Sequence, residues 1–417
     1  MSSHFLAGRL GGIGTAFSDR NFRFFSIGSI ATWIGVFVQL VAVSWYAWEL
    51  TGSTEWLAVI ALLDIVPNVV LMPLAGAVAD RVDKYRMMGV VSLLALVQAV
   101  VLAVLAWQGQ LGIWALAALV LLHGIIISFM VPAMYGILPR FVDRAVLTSA
   151  IAVNSSYSQL AVFLGPALAG WIITSFGVVA AFALNALAYL VYLVSWSFLR
   201  TPSDFEAPQP SGESMLRDIV AGFAYIRRHR GISSMLVLIF FGDALAASVF
   251  YMAPAFAEQI LGMGVIGVSI ILAARGVGAT MAAVWIAWAG ERAATVERLL
   301  RGFLLFLAAM FIAYLAGNVY LVAAAFVLMG LAGETYNTIL TALTQLTVTE
   351  EQRGRVMGTL FMIVQLASGV GTYLVGYLAV RHGLVMPTLA AAAGCLLVWC
   401  SYYVRRRRIA RDFASGR

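Results

Sequence analysis

The sequence predicts an all-α membrane protein of twelve transmembrane helices in two six-helix halves. Three observations carry that prediction: scarce charge, recurring apolar runs of spanning length, and arginine confined to alternate connections. Of 417 residues, 62% are hydrophobic and 11% are charged. A soluble domain carries roughly 25% charged residues. A chain this poor in polar side chains lacks the surface to face water, so lipid is its solvent.

Apolar runs fall at about 22–48, 56–79, 87–107, 112–138, 146–174, 177–199, 232–257, 265–289, 299–316, 319–345, 356–380 and 384–404. At 1.5 Å rise per residue each run crosses a hydrocarbon core roughly 30 Å thick. In lipid the backbone must satisfy its own hydrogen bonds, so the runs are helices. Residues 1–20 are Gly-rich and polar, and no cleavable signal peptide is expected before the first span.

The connections orient the spans. With the N-terminus in the cytoplasm, all but two of the 26 basic residues fall on that side, the exceptions being Arg381 and Arg275. A wrong span count would scramble this alternation. Both termini are therefore expected in the cytoplasm. The net charge of +7 reads as membrane topology and not as a nucleic-acid surface. Cys395 and Cys400 lie five apart in the last span, on different helix faces, which points to neither a disulfide nor a metal site.

The long connection, 200–231, contains the Pro/Ser/acidic stretch TPSDFEAPQPSGES. A candidate interfacial helix follows, with Leu216, Ile219, Val220, Phe223 and Ile226 on one face and Arg217, Arg227 and Arg228 outside it. The expected organisation is an N-terminal bundle at 1–199, this linker, a C-terminal bundle at 232–404 and a basic tail at 405–417. Gln159, Gly165 and Gly170 recur 206 residues later as Gln365, Gly371 and Gly376. Duplicated six-helix halves with a binding site near the midplane are a transporter build.

Between spans two and three the chain reads GAVADRVDKYR, Gly76 to Arg86. This resembles the signature loop of the major facilitator superfamily. Gly76, Asp80, Arg81, Lys84 and Arg86 match, and Asp83 stands where the usual second Gly would be. Gly76 would permit close helix approach, and Asp80 would pair across a helix gap. The resemblance implies a latch for the outward-facing state. Span five reads AVFLGPALAG, Ala161 to Gly170, and is similar to the superfamily's antiporter motif. Gly165, Pro166 and Gly170 match, which implies tight packing of spans five and eight and a kink at Pro166. The stretches FMVPAMYGILPRFVDRAVLTSAIAVNSSYS and EEQRGRVMGTLFMIVQLASGVG resemble the branch of macrolide-efflux proteins and the enterobactin exporter. Many drug/proton antiporters of the superfamily carry an Arg in span four, where this chain has Val120, with His123 and Gly124 following.

Ionisable residues inside spans cost several kcal/mol each near the bilayer centre and default to functional candidates. They are Asp64, His123, Asp243, Arg275 and Glu334. None falls in spans three, six, nine or twelve, which face lipid in the superfamily's fold. Asp243, Arg275 and Glu334 come near the midplane by rise per residue. Arg275 is expected to pair with one acid and leave the other as proton carrier; a static ion pair is the plainer reading. Pro67 and Asn68 follow Asp64, where a local helix break is expected. Candidate cavity residues are Trp33, Phe37 and Gln39; Met134 and Tyr135; Phe250 and Tyr251; Tyr336 and Asn337. Such mostly apolar linings suit amphipathic molecules.

The resemblance implies a proton-coupled exporter of an amphipathic small molecule, such as a drug-like compound or siderophore, in a bacterial inner membrane. Lipid or lysophospholipid transport, uniport, and a membrane sensor are the alternatives. No cofactor beyond the proton gradient, no metal and no nucleic acid are expected, and a monomer in the bilayer is. Neither a metal-ligand cluster, a nucleophile elbow nor a phosphate-binding Gly loop argues for an enzyme.

Overall fold

The computed structural model describes residues 17, 19–137, 147–199 and 215–414, without the side chains of 73, 77, 79–81, 135, 147–149, 151, 152, 155, 215–219, 291, 350, 351 and 414. Asp80, Arg81 and Tyr135 thus lie outside the described side chains. So do the linker's 200–214 and, on the amphipathic helix, Leu216, Arg217 and Ile219.

Six long helices come first: α1 (Arg20–Thr51), α2 (Thr54–Arg81), α3 (Lys84–Trp107), α4 (Ile113–Ile137), α5 (Leu147–Phe176) and α6 (Val178–Ser197). The shorter α7 (Met215–Arg228) follows. Then come α8 (Arg230–Tyr251), α9 (Gly264–Ala289), α10 (Val296–Leu315), α11 (Val319–Thr347), α12 (Glu350–His382) and α13 (Val385–Ala414). Among the described residues twelve helices, all but α7, are long and apolar enough to cross a membrane, as the apolar runs predict.

Local chemistry sets the boundaries. Asp83 caps α3, its Oδ1 accepting the Tyr85 N–H at 2.9 Å. The departure from the usual Gly therefore gives the turn a side-chain acceptor for an otherwise unpaired helix N–H. Asn318 does the same for α11, accepting the Tyr320 N–H at 2.8 Å. Span seven ends at Tyr251, before the expected 257. A short turn with Pro254 near its start, Ala253–Phe256, and a π-helical turn, Ala257–Leu261, follow it. Gly177 (φ 82) separates α5 from α6 and Gly383 (φ 70) separates α12 from α13. Both hold a backbone conformation that L side chains avoid. They are also 206 residues apart, so they extend the internal repeat.

One local expectation is corrected: α2 is helical through Pro67 and Asn68, so no break lies beside Asp64. Pro166 lies inside α5, which is helical on both sides of it, and the basic segment after 404 is helical as far as Ala414, as part of α13.

The chain divides into two compact units, Met1–Tyr46 with Pro67–Ser211, and Ala47–Val66 with Gly212–Arg417. The end of α1 and the first half of α2 thus belong with the second unit.

In the first unit α3 packs on α4 and α6, and α5 on α6. Phe22, Phe25, Met88, Met134, Tyr189 and Trp196 form its core. Tyr85 stacks on Trp196 at 4.6 Å and donates its hydroxyl to the Trp196 carbonyl at 3.1 Å. A Cβ on Gly165 would run into Phe37 of α1, so small size at 165 serves the α1–α5 contact.

In the second unit α9 and α10 pack on α11, while α8 packs on α12 and α13. A Cβ on Gly371 of α12 would run into Ala244 of α8. This repeats the Gly165 contact one half later. The Thr54 hydroxyl donates to the Gly376 carbonyl at 2.9 Å, tying the start of α2 to α12. α7 lies on α12 with Gly222 against Thr359 and the Arg355 carbonyl. Of the amphipathic face, Ile226 is buried, but Val220 and Phe223 are exposed. α7 therefore keeps apolar side chains outward beside Arg227 and Arg228, as an interfacial helix does.

Candidate functional site: a buried polar cluster in the second unit

Three helices bring the cluster together. α9 and α11 cross at backbone contact: a Cβ on Gly278 would strike the Val327 carbonyl, and one on Gly330 the Arg275 carbonyl. Small residues at a helix crossing permit this approach. The crossing fixes Arg275 of α9 beside α11, whose next turns carry Glu334 to Thr338. α8 contributes Asp243. A Cβ on its neighbour Gly242 would lie 3.2 Å from the Tyr336 hydroxyl, so glycine there leaves room for that ring.

Asp243 is 7% exposed. Asn337 Nδ2 donates to both carboxylate oxygens, at 3.1 and 3.3 Å, and the Tyr336 hydroxyl donates at 3.4 Å. Tyr336 is held by Phe303 and Phe306, with ring centroids at 5.4 and 5.6 Å. Both donors to this carboxylate, the amide and the phenol, are neutral. Arg275 forms no ion pair among the described residues. Its guanidinium instead lies 5.5 Å from the centre of the Phe250 ring, although its charge acts on both Asp243 and Glu334. The expected close pairing of Arg275 with an acid is therefore absent, because α11 offers Asp243 an amide and a phenol at shorter range.

Glu334 Oε1 accepts from the Thr338 hydroxyl at 3.0 Å. Thr338 also lines a cavity of about 370 Å³ with Ile286, Ile339, Gln345 and Arg353. A hydroxyl thus connects Glu334 to space at the arginine-bearing end of α9 and α11. Asp64 joins the same unit through α2, where the Tyr251 hydroxyl donates to its Oδ2 at 3.5 Å. Tyr251 lies eight residues beyond Asp243, about 12 Å along the helix axis.

The other candidates lie apart from this cluster. His123 sits half-buried on α4 in the first unit. Gln39, 3% exposed, accepts from Nδ2 of the fully buried Asn185 of α6. That amide joins two helices, a role the sequence reading did not give it. Met134 is a core residue, Trp33 packs against that core, and Phe37 stacks on Trp33 at 6.4 Å. Tyr336 is buried as Asp243's partner. Phe250, Tyr251 and Asn337 are half-buried and touch Arg275, Asp64 and Asp243 in turn. In the latch motif, Arg86 Nε lies 3.8 Å from Asp83. A Cβ on Gly76 would meet nothing within 4 Å, so no close approach among the described residues needs that glycine. Asn185, Gly278 and Gly330 were missed by the sequence reading. A small residue inside an ionisable span was the available signal for the last two.

Comparison with known proteins gives the frame for this geometry. Residues 14–413 match a family described as transmembrane secretion effector, MFS_3. Macrolide efflux protein A of Streptococcus pyogenes is 24% identical over 213 residues, 49% of this chain and 53% of that protein. The chain thus spans about half the length of the curated macrolide efflux proteins it matches. YfiS, an MFS-type transporter of Bacillus subtilis (strain 168), is 26% identical over 384 residues, 89% of this chain and 88% of that one. In fold, the chain is similar to a bacterial homolog of the human lysosomal transporter Spinster. The TM-score is 0.74 at 14% identity, covering 95% of this chain and 98% of that one.

Proposed function

Because the chain belongs to the transmembrane secretion effector family of major facilitator transporters, we propose that this multi-pass membrane protein is a proton-coupled exporter of amphipathic small molecules. It works by alternating access in a bacterial inner membrane, with both termini in the cytoplasm. The observation that carries the reading is Asp243, a buried carboxylate held by neutral donors, with one shared cation nearby and Glu334 beside it. An anion in that setting is expensive, and proton uptake removes the cost. Proton occupancy then changes the free energy of one transport state relative to another, which is how an ion drives a conformational equilibrium. Glu334, reached through Thr338 from the cavity at the arginine-bearing end, passes the proton between that space and Asp243. The half-buried Phe250 and Tyr251 supply apolar surface for a substrate. The partial likeness to macrolide efflux proteins supports export of bulky amphipathic compounds.

The test is transport of a macrolide, erythromycin, in proteoliposomes of purified protein with and without an imposed pH gradient. Wild-type protein accumulates the drug only with the gradient. Asp243→Asn loses accumulation to the level of empty liposomes but keeps drug-for-drug exchange. If Asp243→Asn and Glu334→Gln both accumulate the drug as the wild type does, the proton-coupled reading is wrong.

A further inference from the structure

A second cavity, about 380 Å³, opens between α9, α10 and α11. Its floor is apolar, with Leu331 and Ala332 of α11 and Leu305 of α10. Thr335 also lines it, but its hydroxyl is already donated to the Leu331 carbonyl at 2.6 Å. The floor therefore offers a soluble anion no free hydrogen-bond donor. Exposed apolar side chains surround the opening, among them Trp285 at 39% and Leu305 at 37%. On a membrane-spanning unit such a rim meets acyl chains.

One end of the cavity is different. Arg298 and Arg301, on the first turns of α10, close it. The Arg298 guanidinium lies 5.9 Å from the Trp285 ring centre and donates one N–H to the Arg292 carbonyl. A guanidinium has five N–H donors, so several remain. Arg301 meets Glu297 at 2.9 Å, but both side chains are more than half exposed, and such a pair is easily exchanged for another anion. From Arg298 to Leu305 the cavity covers about 10 Å of depth at 1.5 Å per residue. A pair of guanidinium groups and an indole at one level, with an apolar trough below, matches a headgroup phosphate above an acyl chain.

We propose that this groove binds one anionic phospholipid from the leaflet at the arginine-bearing face, its phosphate on Arg298 and Arg301 and an acyl chain along Leu305 and Leu331. The site is separate from the Asp243 cluster and independent of the transport reading.

Native mass spectrometry of the full chain in detergent, titrated with phosphatidylglycerol or phosphatidylcholine, tests it. The wild type retains one phosphatidylglycerol in preference to phosphatidylcholine, by about fivefold per arginine contact. Inorganic phosphate gives no adduct, because it leaves the trough empty. Arg298→Ala with Arg301→Ala removes the preference. Leu305→Trp keeps both arginines but fills the trough, and it too removes the retained lipid, which decides the matter if the double variant does not fold. Equal retention of the two lipids by the wild type, or an undiminished preference in Leu305→Trp, overturns the proposal.

Discussion

The two units are built on one scaffold and filled with different chemistry. Gly165 meets α1 in the first unit as Gly371 meets α8 in the second. Gly177 and Gly383 make the same positive-φ turn between the last two spans of each half. The buried polar positions diverge. The first unit closes the α1–α6 contact with a neutral amide pair, Gln39 and Asn185. The second places Asp243, Arg275, Glu334 and Asp64 in its interior, against His123 alone among the deep ionisable candidates of the first. A neutral pair whose hydrogen bond is made has no reason to change with pH or voltage. A carboxylate held by an amide and a phenol does, since its charge is uncompensated at short range. Duplication thus preserved backbone geometry while the titratable load went to one unit.

The comparison can be broken at several strengths. The largest effect tests the shared scaffold. Gly165→Leu and Gly371→Leu each force a side chain into an occupied contact, which costs about 3 kcal/mol by the usual penalty for overpacking. Gly76→Ala, which meets nothing, stays within about 0.5 kcal/mol. Thermal unfolding of the purified variants should group the first two and separate the third. If Gly165→Leu were harmless and Gly371→Leu severe, the scaffold equivalence would fail.

Next comes the neutral pair. Gln39→Leu strands the buried Asn185 amide and costs about 1–3 kcal/mol, whereas Gln39→Leu with Asn185→Leu approaches wild-type stability. The double variant should also keep gradient-driven accumulation, in contrast to Asp243→Asn. A lower melting temperature for the double variant than for Gln39→Leu would show that the amides do more than satisfy each other.

Smaller still is the cap at Asp83. Asp83→Ala should cost about 1 kcal/mol and Asp83→Gly, which restores the usual motif residue, only a few tenths, measured by the same melts. The smallest effect is one of pH. His229 caps α8, stacks on Tyr225 and touches Phe413 at the end of α13, and burial holds its imidazole below the usual range. Of the charged groups around it, Asp412 acts in the opposite sense, and Arg228 and Arg230 are its chain neighbours. A group that prefers to be neutral when folded contributes stability above its free pKa of about 6.5 and loses it as pH falls through the lower folded value. Protection of the amides at 405–414, taken relative to their intrinsic exchange rates at each pH, should therefore fall between pH 7.5 and 5.5, and His229→Phe should remove that dependence.

Much of the fold was legible because a membrane enforces simple rules. Span count followed from apolar length, and most helix ends fell within a few residues of the structure; the exceptions are Tyr251, where Pro254 starts a new turn, the start of α12 at Glu350 and the end of α13 at Ala414, where polar and basic residues extend the helix beyond the apolar run. The repeat was visible at Gly165 and Gly371, and Gly177 and Gly383 belonged to the same offset unnoticed. The site was legible in part. The cost of burying charge picked out Asp243, Arg275 and Glu334, and the structure brings them into one unit. Their partners were not legible, because Asn337 and Tyr336 outcompete Arg275 through side-chain reach, which spacing along separate helices does not encode. The partner of Gln39 was hidden for the same reason: Asn185 lies 146 residues away in sequence.

The contact of α9 with α11 at Gly278 and Gly330 leaves no gap for one helix to slide past the other. Main chain rests on main chain, so Arg275 and Glu334 are mounted on what is mechanically a single girder. Any working stroke of the protein has to carry that cation and that acid together. Separating them is then unavailable as a trigger, and under the proton-coupled reading proposed above the signal lies in which groups hold hydrogen ions and which are wetted as the girder moves.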